Sequence, residues 1–170
     1  MPDLAYLSLG SNLGNREQNL RDAIGRLESV GTVRSVSSIY ETEPVEFTDQ
    51  PMFLNCAVAL ETSASPDQLM VQLLEIEKAM GRVRIQKKGP RIIDLDLLLF
   101  GDQVGSTPAV TIPHPAMHQR RFVLEPLAEI APATKHPTLK KTARELLEEL
   151  PPGPAVCRVG TLGRWPMIHD

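Results

Sequence analysis

The chain has 170 residues and a formal net charge of −3, which fits one domain (residues 1–170) and argues against a general nucleic-acid binder. It carries neither a signal segment nor an apolar run long enough to span a membrane, and its two cysteines, Cys56 and Cys157, lack metal-binding spacing. We therefore expect a cytoplasmic protein with reduced thiols that is not bound to membranes.

The first part of the chain predicts a strand, a helix and a second strand. Leu4 to Leu9 is apolar enough for a central strand, and it ends in the turn-forming sequence GSNLGN. Asn15 can cap the following helix because Gln18 lies three residues on, and the helix should end by Gly31. Thr32 to Tyr40 is rich in β-branched residues and predicts the second strand. The GSNLGN turn lacks the pattern of a P-loop, so a plain strand-to-helix turn is an alternative to a functional one.

The middle of the chain begins with a polar connection and a third strand. Residues 41–52 (ETEPVEFTDQPM) contain two prolines and are too irregular for a helix or a strand. Phe53 to Glu61 predicts a strand on which Phe53 and Asn55 share a face. An aromatic ring and an amide at that spacing could bind a planar heterocycle, or they could be a core phenylalanine and an asparagine that satisfies the backbone.

A second helix and a fourth strand complete the order of core elements. Ser65 and Gln68 form a capping box for the helix, which has Pro66 in its first turn and should end at Gly81. Glu77 lies beside the apolar stripe of this helix and is either a surface acid or a site residue. With the strand that follows, the order is β-α-β-β-α-β, which is typical of a ferredoxin-like α+β fold with an antiparallel sheet.

A cluster of cations lies between the second helix and the fourth strand. The segment from Arg82 to Arg91 is rich in arginine and lysine and contains a Gly-Pro pair, so it predicts a basic, mobile loop. The strand that follows runs from Ile92 to Phe100. Its alternation places Asp94 and Asp96 on one face and the apolar residues on the other, namely Ile93, Leu95, Leu97 and Leu99.

The two carboxylates and the neighbouring cations suggest a site for a metal and a nucleotide. Two like charges on one half-buried face repel each other unless a cation lies between them. Oxygen ligands of this kind suit Mg²⁺, which commonly binds one or two carboxylates together with phosphate oxygens. The alternative is a solvent-facing strand end beside a solvated run of charges.

The last third of the chain is predicted less completely. Val110 to Ile112 is a short strand candidate, and His114 lies between two prolines, where a histidine is usually structural. Helical turns are expected between Met117 and Glu129, and a helix is expected from Thr138 to Leu150. Residues 151–170 form a tail rich in proline and glycine that the patterns do not place.

Several long motifs resemble those of one enzyme family. GRVR followed by GPRIIDLDLLLFG, with SIYETEPV upstream and IPHPAMHQRRFVLEPLAEIAP downstream, is similar to 6-hydroxymethyl-7,8-dihydropterin pyrophosphokinases of folate biosynthesis. The resemblance runs collinearly from Ala5 to Ala131. It implies a ferredoxin-like core with appended C-terminal helices, and the transfer of diphosphate from ATP to the pterin with release of AMP. It further implies Mg²⁺, with two ions expected, and ATP and the pterin as small-molecule substrates. We also expect a monomer that binds neither nucleic acid nor membrane.

The resemblance also implies roles for individual residues. By their positions in the motifs, Asp94 and Asp96 would bind metal and, with Arg82 and Arg91, take part in catalysis. The other implied roles are substrate contacts: Thr42, Pro44, Val45, Phe53, Asn55 and Phe122 would bind the pterin, and Glu77, Arg82, Arg84, Arg91, Thr111, His114 and Arg120 would bind the nucleotide.

A few positions depart from the family pattern. Phe53 stands where tyrosine is often found, and Lys88 stands where tryptophan is common. Ile92 replaces a frequent threonine, and Ala109 lies near where some members carry an arginine. These departures concern loop closure and ATP affinity rather than the class of reaction.

Two other functions fit parts of the sequence. A nucleotidyltransferase of the polymerase-β-like class also combines a Gly-Ser turn with a D-x-D motif, but there the two lie close in sequence, whereas Ser11 and Asp94 are far apart. A non-catalytic ferredoxin-like interaction module would use the basic segment to bind an acidic partner. Product analysis would distinguish the first from a pyrophosphokinase, and pterin binding would distinguish the second.

Overall fold

The structure, a computed structural model, describes residues 2–42, 52–81, 91–153 and 156–162. Several predictions lie outside these residues. They include most of the basic segment, the departure at Lys88, and four of the site assignments: Pro44, Val45, Arg82 and Arg84.

The elements of the described ranges follow the predicted order closely. The strands are β1 (Asp3–Ser11), β2 (Thr32–Val36), β3 (Ile39–Thr42), β4 (Phe53–Thr62), β5 (Asp94–Phe100), β6 (Gly105–Ser106), β7 (Thr111–Ile112) and β8 (Val156–Gly160). The helices are α1 (Arg16–Leu27), α2 (Pro66–Ala79), α3 (Arg121–Ile130) and α4 (Ala143–Glu148), with a 3₁₀ turn at Met117–Gln119. Both predicted helix caps are present, since Asn15 accepts from the Gln18 amide and Ser65 forms its capping box with Gln68.

The main sheet confirms the ferredoxin-like arrangement. Its strand order is β5-β1-β4-β3-β8, with β2 also paired to β4, and every pair is antiparallel. The strands β5, β1, β4 and β2–β3, with α1 and α2 as the two connecting helices, form the predicted β-α-β-β-α-β core. β6 and β7 form a separate hairpin, so the short strand predicted at Val110 to Ile112 is confirmed as β7.

Apolar side chains pack on both faces of this sheet. On one face α1 and α2 bury residues such as Leu20 and Leu69 against Leu7 of the central strand. On the other face α3 and α4 pack residues such as Leu124 against Ala57 of β4. Each fully buried leucine contributes about 1.5–3 kcal/mol relative to an exposed one. Because α1 and α2 cover the first face, polar side chains of the central strands can meet only on the second.

The predicted strand from Thr32 to Tyr40 is divided into β2 and β3. The break lies at Ser37 and Ser38, where the side chains of Ser37 and Glu129 replace part of the backbone ladder. The Ala57 amide donates to the Ser37 hydroxyl at 2.8 Å, and the Ser38 amide donates to the Glu129 carboxylate at 3.0 Å. A serine side chain can take over a backbone hydrogen bond in this way, which β-branched composition alone does not indicate.

The alternation predicted for β5 is correct at its start and wrong at its end. Leu97 lies opposite Leu7 of β1, but Leu99 lies opposite Tyr6, so Leu98 is an extra residue that forms a β-bulge. The bulge moves Leu99 to the core beneath α3 and moves Phe100 to the core beneath α1 and α2. Asp94 and Asp96 lie before the bulge, so they share a face as predicted.

The C-terminal elements differ most from the prediction. The helix expected from Thr138 to Leu150 is the shorter α4, because its capping box is formed by Thr142 and Glu145 and Lys140 has a left-handed φ of 61°. The tail contains β8, which pairs with β3 at the edge of the main sheet. Pairing with a strand so distant in sequence is not indicated by local pattern.

Candidate active site

A row of polar residues crosses the second face of the sheet. In register, Asp94 of β5 lies opposite Gly10 of β1, Gly10 lies opposite Asn55 of β4, and Asn55 lies opposite Tyr40 of β3. Residues directly opposite in antiparallel strands point to the same face. The fold therefore places the predicted metal ligand Asp94 and the predicted pterin ligand Asn55 on one surface, separated only by a glycine.

Gly10 leaves room for the side chains of Asn55 and Phe53. A Cβ atom added at Gly10 would lie 2.8 Å from the Asn55 Oδ1 and 3.4 Å from the Phe53 ring. Asn55 is 3% exposed, and its Nδ2 donates to the Thr42 hydroxyl at 2.8 Å. Three predicted pterin ligands, Thr42, Phe53 and Asn55, are thus neighbours around a position where only a glycine fits without movement.

Arg91 lies between the predicted metal ligand Asp94 and the predicted pterin ligand Phe53. Its Nη1 lies 3.1 Å from the Asp94 Oδ2, and its guanidinium carbon lies 5.9 Å from the centroid of the Phe53 ring. The side chain is 16% exposed. The sequence predicted a basic, mobile loop from Arg82 to Arg91, and its last residue contacts the rest of the fold, because hydrogen bonds to Asn12 hold the Arg91 backbone and an ion pair to Asp94 holds its guanidinium. The mobility of the loop stays a prediction.

Glu77 and the start of β5 form a buried contact. Glu77 is 3% exposed, and its carboxylate accepts a hydrogen bond of 2.8 Å from the amide of Leu95, the residue between the two aspartates. Of the two interpretations that the sequence left open, a surface acid is wrong. The contact fixes the backbone that presents Asp94 and Asp96, and the predicted role of Glu77 in nucleotide binding stays a prediction.

His114 presents a neutral imidazole close to the carboxylates. Its backbone amide donates to Leu98 of β5 at 2.9 Å, and its Nδ1 accepts from the Ala116 amide at 3.1 Å. Burial lowers the pKa of His114, the charge of Arg120 lowers this pKa further, and Asp94 opposes the shift. Since Nδ1 is an acceptor, Nε2 carries the proton and is available to donate to an anionic ligand.

Arg120 and Phe122 lie together at the start of α3. The Arg120 guanidinium carbon is 5.7 Å from the centroid of the Phe122 ring, and Phe122 packs at the border of the core beneath α3. Thr111 lies farther out on the β6–β7 hairpin, where it is exposed and its hydroxyl lies 3.0 Å from that of Ser106. The charge of Arg120 acts on His114, so these two predicted nucleotide ligands are brought together. Within the described part of the chain, the contacts of Thr111 are with Ser106 on its own hairpin.

A partly buried polar network, which the sequence did not predict, holds α3 against β3. The Glu129 carboxylate accepts from the Tyr40 hydroxyl at 2.7 Å and from the Ser38 hydroxyl at 2.9 Å. Burial raises the pKa of Tyr40, and the hydrogen bond to Glu129 raises it further, so the phenol remains a donor. This network fixes the helix whose first turn carries Phe122.

The carboxylates suit a metal ion that takes most of its ligands from elsewhere. Within the described ranges, no group of three or more His, Cys, Asp and Glu side chains could hold a metal ion. Asp94 and Asp96 supply hard oxygen donors on one face and are only partly buried. A pair of this kind fits Mg²⁺ that completes its coordination with phosphate oxygens and water.

The described helices include none that is long and apolar enough to cross a membrane.

Comparisons with known proteins give a consistent result. Residues 6–132 match the family model for 7,8-dihydro-6-hydroxymethylpterin-pyrophosphokinase (HPPK). A Bacillus subtilis protein named 2-amino-4-hydroxy-6-hydroxymethyldihydropteridine pyrophosphokinase is 48% identical over 132 residues, which cover 76% of this chain and 79% of the relative. The Schizosaccharomyces pombe folic acid synthesis protein fol1 is 41% identical over 150 residues, which cover 87% of this chain.

The structural comparison supports the fold. A crystal structure of a Plasmodium falciparum HPPK-DHPS triple mutant with STZ-DHP superposes with a TM-score of 0.71 at 18% identity, covering 88% of this chain. The present chain spans 43% of that protein and 20% of fol1.

Proposed function

The chain belongs to the 7,8-dihydro-6-hydroxymethylpterin-pyrophosphokinase family, and we propose that its site transfers the β,γ-diphosphate of ATP to the hydroxymethyl oxygen of 6-hydroxymethyl-7,8-dihydropterin. The products are the pterin diphosphate and AMP, formed as a step of folate synthesis. One observation supports this assignment most strongly. The Arg91 guanidinium lies between the carboxylate of Asp94 and the aromatic ring of Phe53, which is assigned to the pterin side.

We assign Asp94 and Asp96 as ligands of Mg²⁺, with two ions expected. When bound, Mg²⁺ would supply positive charge that offsets the negative charge of the triphosphate. The protein's own contribution is to hold the two carboxylates at fixed positions. Pairing with β1 and the hydrogen bond from the Leu95 amide to Glu77 both fix the backbone between them.

The pterin side is assigned to Phe53, Phe122, Asn55 and Thr42. Phe53 and Phe122 would stack on the ring, since aromatic side chains bind planar heterocycles through their faces. Asn55 would form a hydrogen bond with the edge of the ring, and the hydrogen bond to Thr42 fixes the orientation of the Asn55 side chain. The assignments of Pro44 and Val45 remain predictions for residues outside the described ranges.

The phosphate side is assigned to Arg91, His114 and Arg120. In-line attack of the hydroxymethyl oxygen on the β-phosphorus concentrates negative charge on the transferring group, and fixed cations stabilise that charge. Arg91 is held where it can do so, and His114 can donate its Nε2 proton to a phosphate oxygen. Nucleotide contacts of Thr111, Glu77 and Arg84, and a catalytic role of Arg82, remain part of the proposal.

The proposal also covers the oligomeric state, the location and the domain organisation of the protein. We infer a monomeric, cytoplasmic enzyme with one domain that acts on small molecules, without nucleic acid or membrane. Size-exclusion chromatography with light scattering tests the first of these statements. A molecular mass of two chains would contradict it.

Product analysis tests the reaction. Incubation with Mg²⁺, ATP and the dihydropterin should give AMP and a diphosphorylated pterin, with no AMP when the pterin is omitted. A nucleotidyltransferase would instead release pyrophosphate and attach the nucleotide to the acceptor. A non-catalytic module would form neither product and would show no change in fluorescence on titration with the pterin and a non-hydrolysable ATP analogue.

A further inference from the structure

We propose that Asn12 is a positioning residue that places the Arg91 guanidinium for diphosphate transfer, an inference that rests on the proposed function of Arg91. Asn12 belongs to the GSNLGN turn between β1 and α1, which the sequence left open as a plain turn. No role in the site was predicted for it.

The contact between Asn12 and Arg91 is reciprocal. The backbone N–H of Arg91 donates to the side-chain Oδ1 of Asn12 at 2.7 Å, and the backbone N–H of Asn12 donates to the Arg91 carbonyl at 3.0 Å. Asn12 is fully buried, with 0% of its surface exposed. The Asn12 side chain thus holds the N–H of a residue 79 positions away in sequence, and the Asn12 backbone N–H holds the carbonyl of the same residue.

The location of these bonds explains why a side chain is needed. The ladder between β1 and β5 ends with the pair Gly10 and Asp94. Arg91 lies three residues before Asp94, beyond the last ladder pair, so the regular strand pairing does not hold it. The Asn12 side chain replaces a backbone carbonyl there and extends the hydrogen-bonded register as far as Arg91.

Fixing the backbone of Arg91 matters because the arginine side chain is long. Its guanidinium must reach the Asp94 carboxylate while lying over the Phe53 ring. Without a fixed backbone, the same side chain can adopt many rotamers at different positions. A misplacement of about 1 Å in a group that stabilises transferring charge can reduce the rate by about 10²-fold.

The rest of the turn is held by other side chains. The Asn19 Nδ2 donates to the Ser11 hydroxyl at 3.1 Å and to the Leu13 carbonyl at 2.8 Å. The shape of the turn therefore does not depend only on Asn12. Asn19→Ala is a matched control, since it removes an amide side chain that supports the same turn through contacts with Ser11 and Leu13.

A double-mutant cycle on the full chain tests the proposal. Asn12→Ala should lower kcat by about 10- to 100-fold while changing the Kd of a non-hydrolysable ATP analogue by less than about threefold. In the Arg91→Ala background, the same Asn12→Ala change should alter kcat by less than about twofold, because the residue it positions is absent. Asn19→Ala should leave kcat within about threefold of the original chain.

Each outcome decides a different question. An equal loss from Asn12→Ala with and without Arg91 would overturn the positioning role, because Asn12 would then act through the fold in general. Absence of pterin-dependent AMP formation in the original chain would instead overturn the proposed function. If Asn12→Ala does not fold, Asn12→Ser replaces it in the same cycle, since serine keeps a polar group but is too short to reach Arg91. Equal losses in that cycle would overturn the role in the same way.

Discussion

Replacing Gly10 by alanine tests the arrangement of the pterin side most sharply. Gly10 does not have a left-handed φ, so an alanine at this position causes no backbone strain. The added methyl group would nevertheless lie 2.8 Å from the Asn55 Oδ1, which is closer than carbon and oxygen approach without movement. Asn55 is 3% exposed and has little space into which to move.

The expected magnitude follows from that contact. If Asn55 turns away from its hydrogen bond with the Thr42 hydroxyl, the polar edge of the bound pterin loses its partner, and leaving a buried polar group unpaired costs about 1–3 kcal/mol. Since about 1.4 kcal/mol corresponds to a tenfold change in affinity, Gly10→Ala should weaken pterin binding by about 5- to 150-fold. Overpacking of a tight site should also lower the free energy of unfolding by about 1–3 kcal/mol.

Fluorescence titration with the pterin, alongside chemical denaturation, measures both effects. Gly105→Ala is the matched control, because a methyl group at Gly105 would meet nothing within 4 Å. That variant should bind the pterin as the original chain does. Unchanged pterin affinity in a folded Gly10→Ala protein would show that Asn55 and Phe53 do not contact the pterin through this surface.

Three further predictions follow from the site. Asp96→Asn should lower turnover by about 10²-fold or more while pterin binding without nucleotide survives, and near-normal turnover would remove the carboxylate pair from the mechanism. Phe122→Ala should weaken pterin binding by about 1–3 kcal/mol in a titration, whereas global unfolding of this variant would identify Phe122 as a core residue. Burial lowers the pKa of both His114 and His136 below the ordinary value of 6.5, so the unfolded chain binds more protons and the free energy of unfolding should fall as pH drops below about 6.5. Denaturation at several pH values measures how steeply the free energy of unfolding falls as pH drops. His136→Gln should make this fall smaller, and no fall would show that neither histidine is buried.

Local patterns predicted the elements that local forces determine. The capping box of Ser65 and the period-two alternation that places Asp94 and Asp96 together depend on residues close in sequence, and both are present. The division at Ser37 and the bulge at Leu98 were missed, because each depends on partners in another strand.

The same limit applies to the candidate site. The motifs identified Arg91 but not its fixed position, which depends on Asn12 far away in sequence. Glu77 was left open as a surface acid, although its carboxylate is buried against the Leu95 amide. In both cases one hydrogen bond between distant segments decides the environment, and composition gives no sign of such a bond.

The central claim is that diphosphate, and not the nucleotide, is transferred to the pterin. The most direct measurement uses two samples of ATP, one labelled at its α-phosphorus and the other at its β-phosphorus, each incubated with Mg²⁺ and 6-hydroxymethyl-7,8-dihydropterin. We predict that the α label appears in AMP and the β label appears in the pterin product. The α label in the pterin product, with the β label in free pyrophosphate, would contradict the account.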